Sequence, residues 1–172
     1  MAQSFVQVYT GEGKGKTTAA LGLVLRALGA GMRVCLVQFM KKLSTSELQA
    51  LEHFGDSVTV KRMGRSRFVA GNPAEADCRR AAEALAVSRE ALTGGTYRMV
   101  VMDEACVAAD KGLISTEELV DVVKARPRNV ELVLTGRNAP RALVEAADLV
   151  TEMKEIKHYY GRGVKARKGI EN

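Results

Sequence analysis

The stretch Thr10–Thr18, which reads TGEGKGKTT, constrains the fold of this chain more than any other feature. It follows an apolar run at 5–9 and precedes a second apolar stretch at 19–25. This order predicts a strand, a glycine-rich loop and a helix. Glycines allow successive backbone N–H groups to point at one anion, and the helix beginning near Lys16 adds the positive end of its dipole. The stretch is therefore predicted to be a phosphate-binding loop.

Two side chains of the loop carry the predicted chemistry. Lys16 supplies a cation for phosphates, and the Thr17 hydroxyl is placed to ligate Mg²⁺. In the usual pattern, G-x-x-x-x-G-K-[ST], the first glycine falls where this chain has Thr10, and the glycine follows one position later. A glycine-rich turn without a ligand is the alternative, but the strand-to-helix context favours phosphate binding. The residues predicted to contact the nucleotide are Thr10, Gly11, Gly13, Lys14, Gly15, Lys16, Thr17 and Thr18.

An acidic pair, Asp103-Glu104, ends a second apolar run at 97–102. Ligands of open α/β sheets bind at the carboxyl ends of the strands, which is where this pair is predicted to lie. One carboxylate there can hold Mg²⁺ opposite Thr17, directly or through water. A helix cap at a strand end is the alternative, and the residues themselves do not decide between Asp103 and Glu104 as the metal ligand.

The other candidates have weaker support. Gln38, at the end of the second predicted strand, is placed to contact a ligand. Arg137, just after the fifth, is suited either to phosphate or leaving-group charge or to a structural role. Cys106 is interpreted as a packing residue and His158 as a surface residue. No general base or nucleophile is found, so either the protein positions water for ATP hydrolysis or the nucleophile arrives with a second substrate.

The fold class follows from alternating strand and helix patterns. Residues 1–172 are long enough for one domain, and the alternation predicts an α/β phosphate-loop NTPase-like fold with a recombinase-like core. Its mainly parallel sheet should hold five or six strands flanked by helices. The predicted strands are 5–9, 32–39, 57–61, 97–102, 129–134 and 149–153. The predicted helices begin at Lys16 and at 44–46, cover 73–92, open at 115–116 and cover 140–147.

Charge and composition limit the location and partners. The net charge is +6, and 154–172 forms a basic C-terminal tail; a second basic cluster lies at 61–67. Such clusters suit nucleic acid, a polyanionic ligand, an acidic partner or plain solvation. No apolar run approaches the roughly 20 residues that span a bilayer, and no secretory signal is present. The three cysteines are widely spaced, which favours a reduced cytoplasmic setting.

Several segments together resemble one protein family, the ATP:corrinoid adenosyltransferases of the phosphate-loop type. The resemblance runs from Val6 to Glu171, and its loop has threonine at the place of the usual first glycine. The segments that carry it are YTGEGKGKTTAALGLVLRALGAGMRVCLVQFMK, VVMDEA, ELVLTGRNAPRAL, ADLVTEM, KH and GVKARKGIE.

The resemblance implies transfer of a 5′-deoxyadenosyl group from ATP to the Co(I) of a reduced corrinoid, cob(I)alamin or cobinamide, with release of triphosphate. It implies Mg²⁺ (or Mn²⁺) held by Thr17 and Glu104, ATP bound in reversed polarity, a homodimer, and an electron-donating flavoprotein as partner. Phe68 matches an aromatic residue with which family members displace the lower ligand of the corrinoid. The second aromatic position is Ala70 here, and an N-terminal helical extension of some members has no counterpart.

Two other functions compete with the transferase. An ATPase acting on nucleic acid would use the basic clusters, but it would need base-stacking aromatics, and aromatic residues make up only 5% of the chain, with none interleaved in the basic tail. A corrinoid or nucleotide carrier without transferase activity is the other alternative, which Ala70 favours. The sequence therefore favours the transferase, with no membrane association and with nucleic acid ranked well below.

Overall fold

The fold is organised around one parallel sheet. The computed structural model describes residues 3–40, 45–64 and 73–171. Six strands pair in the order β3-β2-β4-β5-β1-β6, and every pairing is parallel. The strands are β1 (Val6–Thr10), β2 (Val34–Gln38), β3 (Val58–Arg62), β4 (Met99–Asp103), β5 (Glu131–Thr135) and β6 (Leu149–Glu152). The predicted fold class is confirmed.

Six α-helices connect the strands within the described residues. They are α1 (Lys16–Gly29), α2 (Ser46–Leu51), α3 (Glu75–Thr93), α4 (Ala105–Asp110), α5 (Thr116–Lys124) and α6 (Arg141–Ala146). Short 3₁₀ helices cover Glu52–Ser57 and Tyr159–Arg162. Ser115 caps α5 through a reciprocal pair of hydrogen bonds with Glu118, which is the start signal read from the sequence. Helix α4 was not predicted.

The sheet is covered on both faces, which explains the apolar character of its central strands. Every residue of β2 and β4 is buried. Helices α1 and α2 pack on one face, against side chains such as Leu36 and Val101. Helices α3 to α6 pack on the other face, against the alternate strand positions, such as Val100 and Leu134. Parallel sheets need this double cover, because their crossover helices lie on both sides.

The sheet edge at β6 differs from the interior. All four residues of β6 are exposed, and its one strand neighbour is β1. Beyond β6 the described chain continues to residue 171 along the carboxyl ends of the strands, where it meets the loop that follows β1. Every helix in the described part of the chain is too short or too polar to cross a membrane.

Candidate nucleotide-binding site

The loop between β1 and α1 closes around its own lysine. Gly15 caps α1 in the left-handed conformation, with φ of 119°. The Lys16 ammonium then reaches back across the loop and donates to the carbonyl oxygens of Gly11 (2.5 Å) and Gly13 (2.8 Å). The loop therefore holds a cation on its carbonyl oxygens beside the N-terminus of α1, whose N–H groups and dipole can attract phosphate.

The same loop packs tightly against the chain that leaves β6. The Gly13 N–H donates to the Met153 carbonyl (2.7 Å), and the Met153 N–H donates to the Thr10 carbonyl (2.8 Å). A Cβ atom on Gly11 would lie 2.5 Å from the Met153 carbonyl oxygen, and one on Gly13 would lie 2.8 Å from backbone atoms of Lys154. The sequence pattern explained these glycines by anion binding. The close approach of residues 153–154 is a second, independent reason.

Asp103 connects the loop to the neighbouring strands. Its side chain is fully buried at the end of β4. Its Oδ1 accepts hydrogen bonds from the hydroxyls of Thr17 (2.9 Å) and Thr135 (2.8 Å), and its Oδ2 accepts one from the Gln38 amide (3.2 Å). Three elements of the site, α1, β2 and β5, are therefore joined through one carboxylate.

Glu104 has a different setting from its neighbour. Its backbone is left-handed (φ 64°), and its N–H donates to the Thr135 hydroxyl at 2.9 Å. This turn ends β4, begins α4 and leaves the half-buried Glu104 side chain at the cleft above the sheet. The acidic pair is thus divided between a buried, hydrogen-bonded carboxylate and one that lines the cleft.

Thr135 was given no role in the sequence analysis. It lies at the tip of β5, and β5 is the strand between β4 and β1. Gly136, which follows, approaches α4 so closely that a Cβ atom would lie 2.8 Å from Cys106. A Thr-Gly pair after a buried strand was visible in the sequence. The order of the strands, which puts Thr135 beside Asp103 on the strand between β4 and β1, was not.

The cleft that these groups line has a volume of about 1010 Å³. Most of the predicted nucleotide contacts line it, whereas Thr10, Gly11, Gln38 and Asp103 do not. The Thr10 hydroxyl instead accepts a hydrogen bond from the Ala139 N–H at 3.1 Å. Phe68 lies outside the described residues. The predicted site residues in the cleft wall are Gly13, Lys14, Gly15, Lys16, Thr17, Thr18, Glu104 and Arg137.

The rim of the cleft carries charge from separate parts of the chain. Arg137 lies 3.3 Å from the Glu12 carboxylate, and both side chains are largely exposed. His158 was interpreted as a surface residue, but it is half-buried and lines the cleft from the C-terminal side. Cys106 is fully buried, and burial raises the pKa of its thiol to about 12. The thiol therefore stays protonated near neutral pH, in agreement with its interpretation as a packing residue.

The donor atoms of the site suit Mg²⁺. Among residues 3–40, 45–64 and 73–171 no cluster of three His, Cys, Asp or Glu side chains is placed to hold a metal by itself. Three hard oxygen donors lie together at the carboxyl end of β4: the hydroxyl of Thr17 and the carboxylates of Asp103 and Glu104. Mg²⁺ is held in this way by one or two protein oxygens, with phosphates and water completing its shell. The residues present fit that ion.

Fold and site together define a nucleotide-binding protein of the phosphate-loop class. The flagellar accessory protein FlaH of Methanocaldococcus jannaschii has a similar structure, with a TM-score of 0.60 and 11% identity over 88% of this chain and 72% of that one. At this identity the likeness concerns the fold alone.

Sequence comparison assigns the family. The family described as ATP:corrinoid adenosyltransferase BtuR/CobO/CobP matches residues 2–172. The chain is 38% identical to the corrinoid adenosyltransferase of Pseudomonas aeruginosa, covering 95% of this chain and 81% of that protein. It is 34% identical to the corrinoid adenosyltransferase of Escherichia coli K12, covering 98% and 86%. The chain belongs to the ATP:corrinoid adenosyltransferase family.

Proposed function

We propose that this protein transfers the 5′-deoxyadenosyl group of ATP to the Co(I) centre of a reduced corrinoid. The observation that carries the proposal is that the phosphate loop and Glu104 of the acidic pair line one cleft, in a chain whose residues 2–172 match the family. The cobalt–carbon bond forms as the bond between C5′ and the triphosphate oxygen breaks. Triphosphate leaves with the electron pair of that bond.

This reaction needs no nucleophile from the protein. Because Co(I) is itself the nucleophile, the chain has only to aim C5′ at the metal and to stabilise the charge on the leaving triphosphate. Lys16 and the N–H groups at the start of α1 are suited to the second task. The cysteine next to the acidic pair is buried and protonated, and it takes no part.

Mg²⁺, for which Mn²⁺ is a substitute, would be held by the Thr17 hydroxyl and the Glu104 carboxylate, with Asp103 orienting Thr17. When bound, the ion supplies positive charge to the triphosphate oxygens. The support for this division is that the Asp103 carboxylate already accepts three hydrogen bonds, whereas Glu104 lines the cleft.

The remaining expectations rest on the family. They are reversed polarity of ATP in the loop, a role for Phe68 over the corrinoid, a homodimer, a cytoplasmic location and a flavoprotein that reduces the corrinoid. If Phe68 covers the corrinoid, Phe68→Ala should weaken corrinoid binding and slow transfer without changing the affinity for ATP.

An anaerobic assay tests the reaction class. The protein is mixed with MgATP and chemically reduced cob(I)alamin, the corrinoid spectrum is followed, and inorganic triphosphate is measured. Adenosylcobalamin with one triphosphate per turnover is the expected result. Orthophosphate without a cobalt–carbon bond would indicate an ATPase, and binding of both ligands without turnover would indicate a carrier.

Glu104→Gln is a companion variant, in which a higher concentration of Mg²⁺ should be required for half-maximal rate.

A further inference from the structure

The second lysine of the phosphate loop is bound to the far end of the chain. The Lys14 ammonium lies 3.1 Å from a Glu171 carboxylate oxygen, 3.1 Å from the Ile170 carbonyl and 3.3 Å from the Tyr159 hydroxyl. An ammonium group has three N–H donors, and these three acceptors can take all of them. In this arrangement Lys14 donates to C-terminal residues, of which Ile170 and Glu171 line the cleft themselves.

Glu171 is held firmly enough to serve as that partner. Its carboxylate accepts hydrogen bonds from the Arg167 backbone N–H (2.8 Å), from the Arg167 guanidinium (3.1 and 3.2 Å) and from the Tyr159 hydroxyl. Its side chain is 14% exposed, whereas those of Lys14 and Arg167 are 40% and 53% exposed. Arg167 and Tyr159, together with Lys14, hold the pKa of Glu171 well below its usual range, so the carboxylate is charged at neutral pH.

These contacts fix a wall of the cleft as well as a side chain. Gly169, Ile170 and Glu171 line the cleft beside the loop, and His158 lines it as well. Farther back, the backbone bond from Gly13 to Met153 attaches the loop to the same C-terminal segment. The loop is therefore attached to residues 153–171 both through its backbone and through the Lys14 side chain.

We propose that Glu171 is a positioning residue of the nucleotide site, which acts through Lys14 to hold the phosphate loop and the C-terminal cleft wall in place. We call Lys14, Tyr159, Arg167, Ile170 and Glu171 the C-terminal latch. The inference rests on the proposed function, because the ligand positioned is the triphosphate of ATP. A loop held in its binding conformation before the ligand arrives binds more tightly than one that must be ordered on binding.

The proposal can be tested against competition between Glu171 and the nucleotide for Lys14, which would have the opposite effect on binding. If Lys14 contacted phosphate directly, Glu171 would compete with the nucleotide for it. Removing the Glu171 charge would then strengthen binding. If the latch positions the loop, the same change weakens binding, so the sign of the effect decides.

The experiment measures the dissociation constants of inorganic triphosphate with Mg²⁺ and of MgATP by calorimetry, for the wild type, Glu171→Gln, Lys14→Met and the double variant. Each single variant should bind about fivefold more weakly, the size expected when one partly exposed ion pair is lost. The double variant should bind no more weakly than either single variant, since both break the same contact. Tighter binding by Glu171→Gln would overturn the proposal.

Glu83→Gln is the matched control, because it removes an exposed carboxylate of α3 that is not among the residues lining the cleft. Loss of this charge should leave triphosphate binding unchanged. Turnover kinetics distinguish positioning from a purely structural role. In Glu171→Gln the KM for ATP should rise about fivefold, while kcat should change less than about twofold. A fall in kcat with KM unchanged would contradict positioning.

Hydrogen exchange separates this proposal from the proposed function. Amides at 153–171 should exchange faster in both single variants than in the wild type, whether or not a corrinoid is adenosylated. Unchanged exchange in both variants would refute the latch even if transfer occurs. Faster exchange and weaker triphosphate binding, without any cobalt–carbon bond formed by the wild type, would retain the latch and remove the transferase.

Discussion

At the scale of single residues, the hydroxyl of Thr135 joins the two members of the acidic pair. It donates to Asp103 and accepts from the Glu104 N–H. Thr135→Val keeps the shape of the side chain but removes one hydrogen bond from the buried Asp103 carboxylate and one from the Glu104 N–H. We expect the free energy of unfolding to fall by about 1–3 kcal/mol, measured by urea denaturation. Thr151→Val, at an exposed position of β6, is the control and should change it by no more than about 0.5 kcal/mol.

We expect phosphate binding itself to depend on Lys16. Lys16→Ala removes the cation that crosses the loop, while the backbone that forms the loop remains. Affinity for triphosphate should fall at least about 30-fold, which corresponds to roughly 2 kcal/mol for hydrogen bonds to a charged group. Circular dichroism should show an unchanged fold. Unchanged affinity for triphosphate in this variant would show that this loop does not bind phosphate through Lys16.

At the scale of elements, the contact between the loop and the segment after β6 sets what the loop can contain. In Gly13→Ala the new methyl group would meet backbone atoms of Lys154 at 2.8 Å. Because backbone cannot rotate away, the loop or the segment must shift, and both stability and triphosphate affinity should fall. Gly22→Ala is the matched control. Gly22 is exposed within α1, and a Cβ atom there would meet no atom within 4 Å apart from its chain neighbours and the backbone of its own helix, so alanine should stabilise the protein by roughly 0.5–1 kcal/mol.

Cys106 in helix α4 makes the free energy of unfolding depend on pH in the alkaline range. Burial raises the pKa of Cys106 from its ordinary value of 9.0 to about 12. Between these two values the folded protein keeps a proton that the unfolded chain loses, so the free energy of unfolding falls as the pH rises above 9. The contribution is present in full below pH 9, and its decline has a limiting slope of roughly 1.4 kcal/mol per pH unit. Urea denaturation from pH 8 to pH 10 should show a shallower decline in Cys106→Ala, and equal slopes would contradict this assignment.

The elements also show what the sequence could reveal and why the rest was hidden. The strands were predictable because they are rich in β-branched and other apolar residues, and the loop because its glycines follow a strand. Helix α4 was missed because it has six residues and begins after Glu104 in the left-handed conformation, without a serine or threonine cap. The roles of Thr135 and Glu171 follow from the order of the strands and from the path of the last residues. Local sequence patterns do not reveal either of these.

At the scale of the whole molecule, ligand binding and stability must be linked. The site joins the first loop, the ends of β2, β4 and β5, and the C-terminal segment, so nucleotide binds the folded chain and not the unfolded one. At a concentration of MgATP 100 times its dissociation constant, the folded state gains about 2.7 kcal/mol. For a chain of this size the midpoint of thermal unfolding should rise by roughly 5–10 °C.

That rise also tests the metal, because Mg²⁺ is expected to join the triphosphate to Thr17 and Glu104. Addition of EDTA should remove most of the thermal shift produced by ATP while leaving the midpoint of the nucleotide-free protein unchanged. Lys16→Ala should show no shift at the same MgATP concentration. If ATP stabilises the wild type equally with and without EDTA, nucleotide binding does not require the metal, and the oxygen donors around Asp103 then serve the packing of the loop alone.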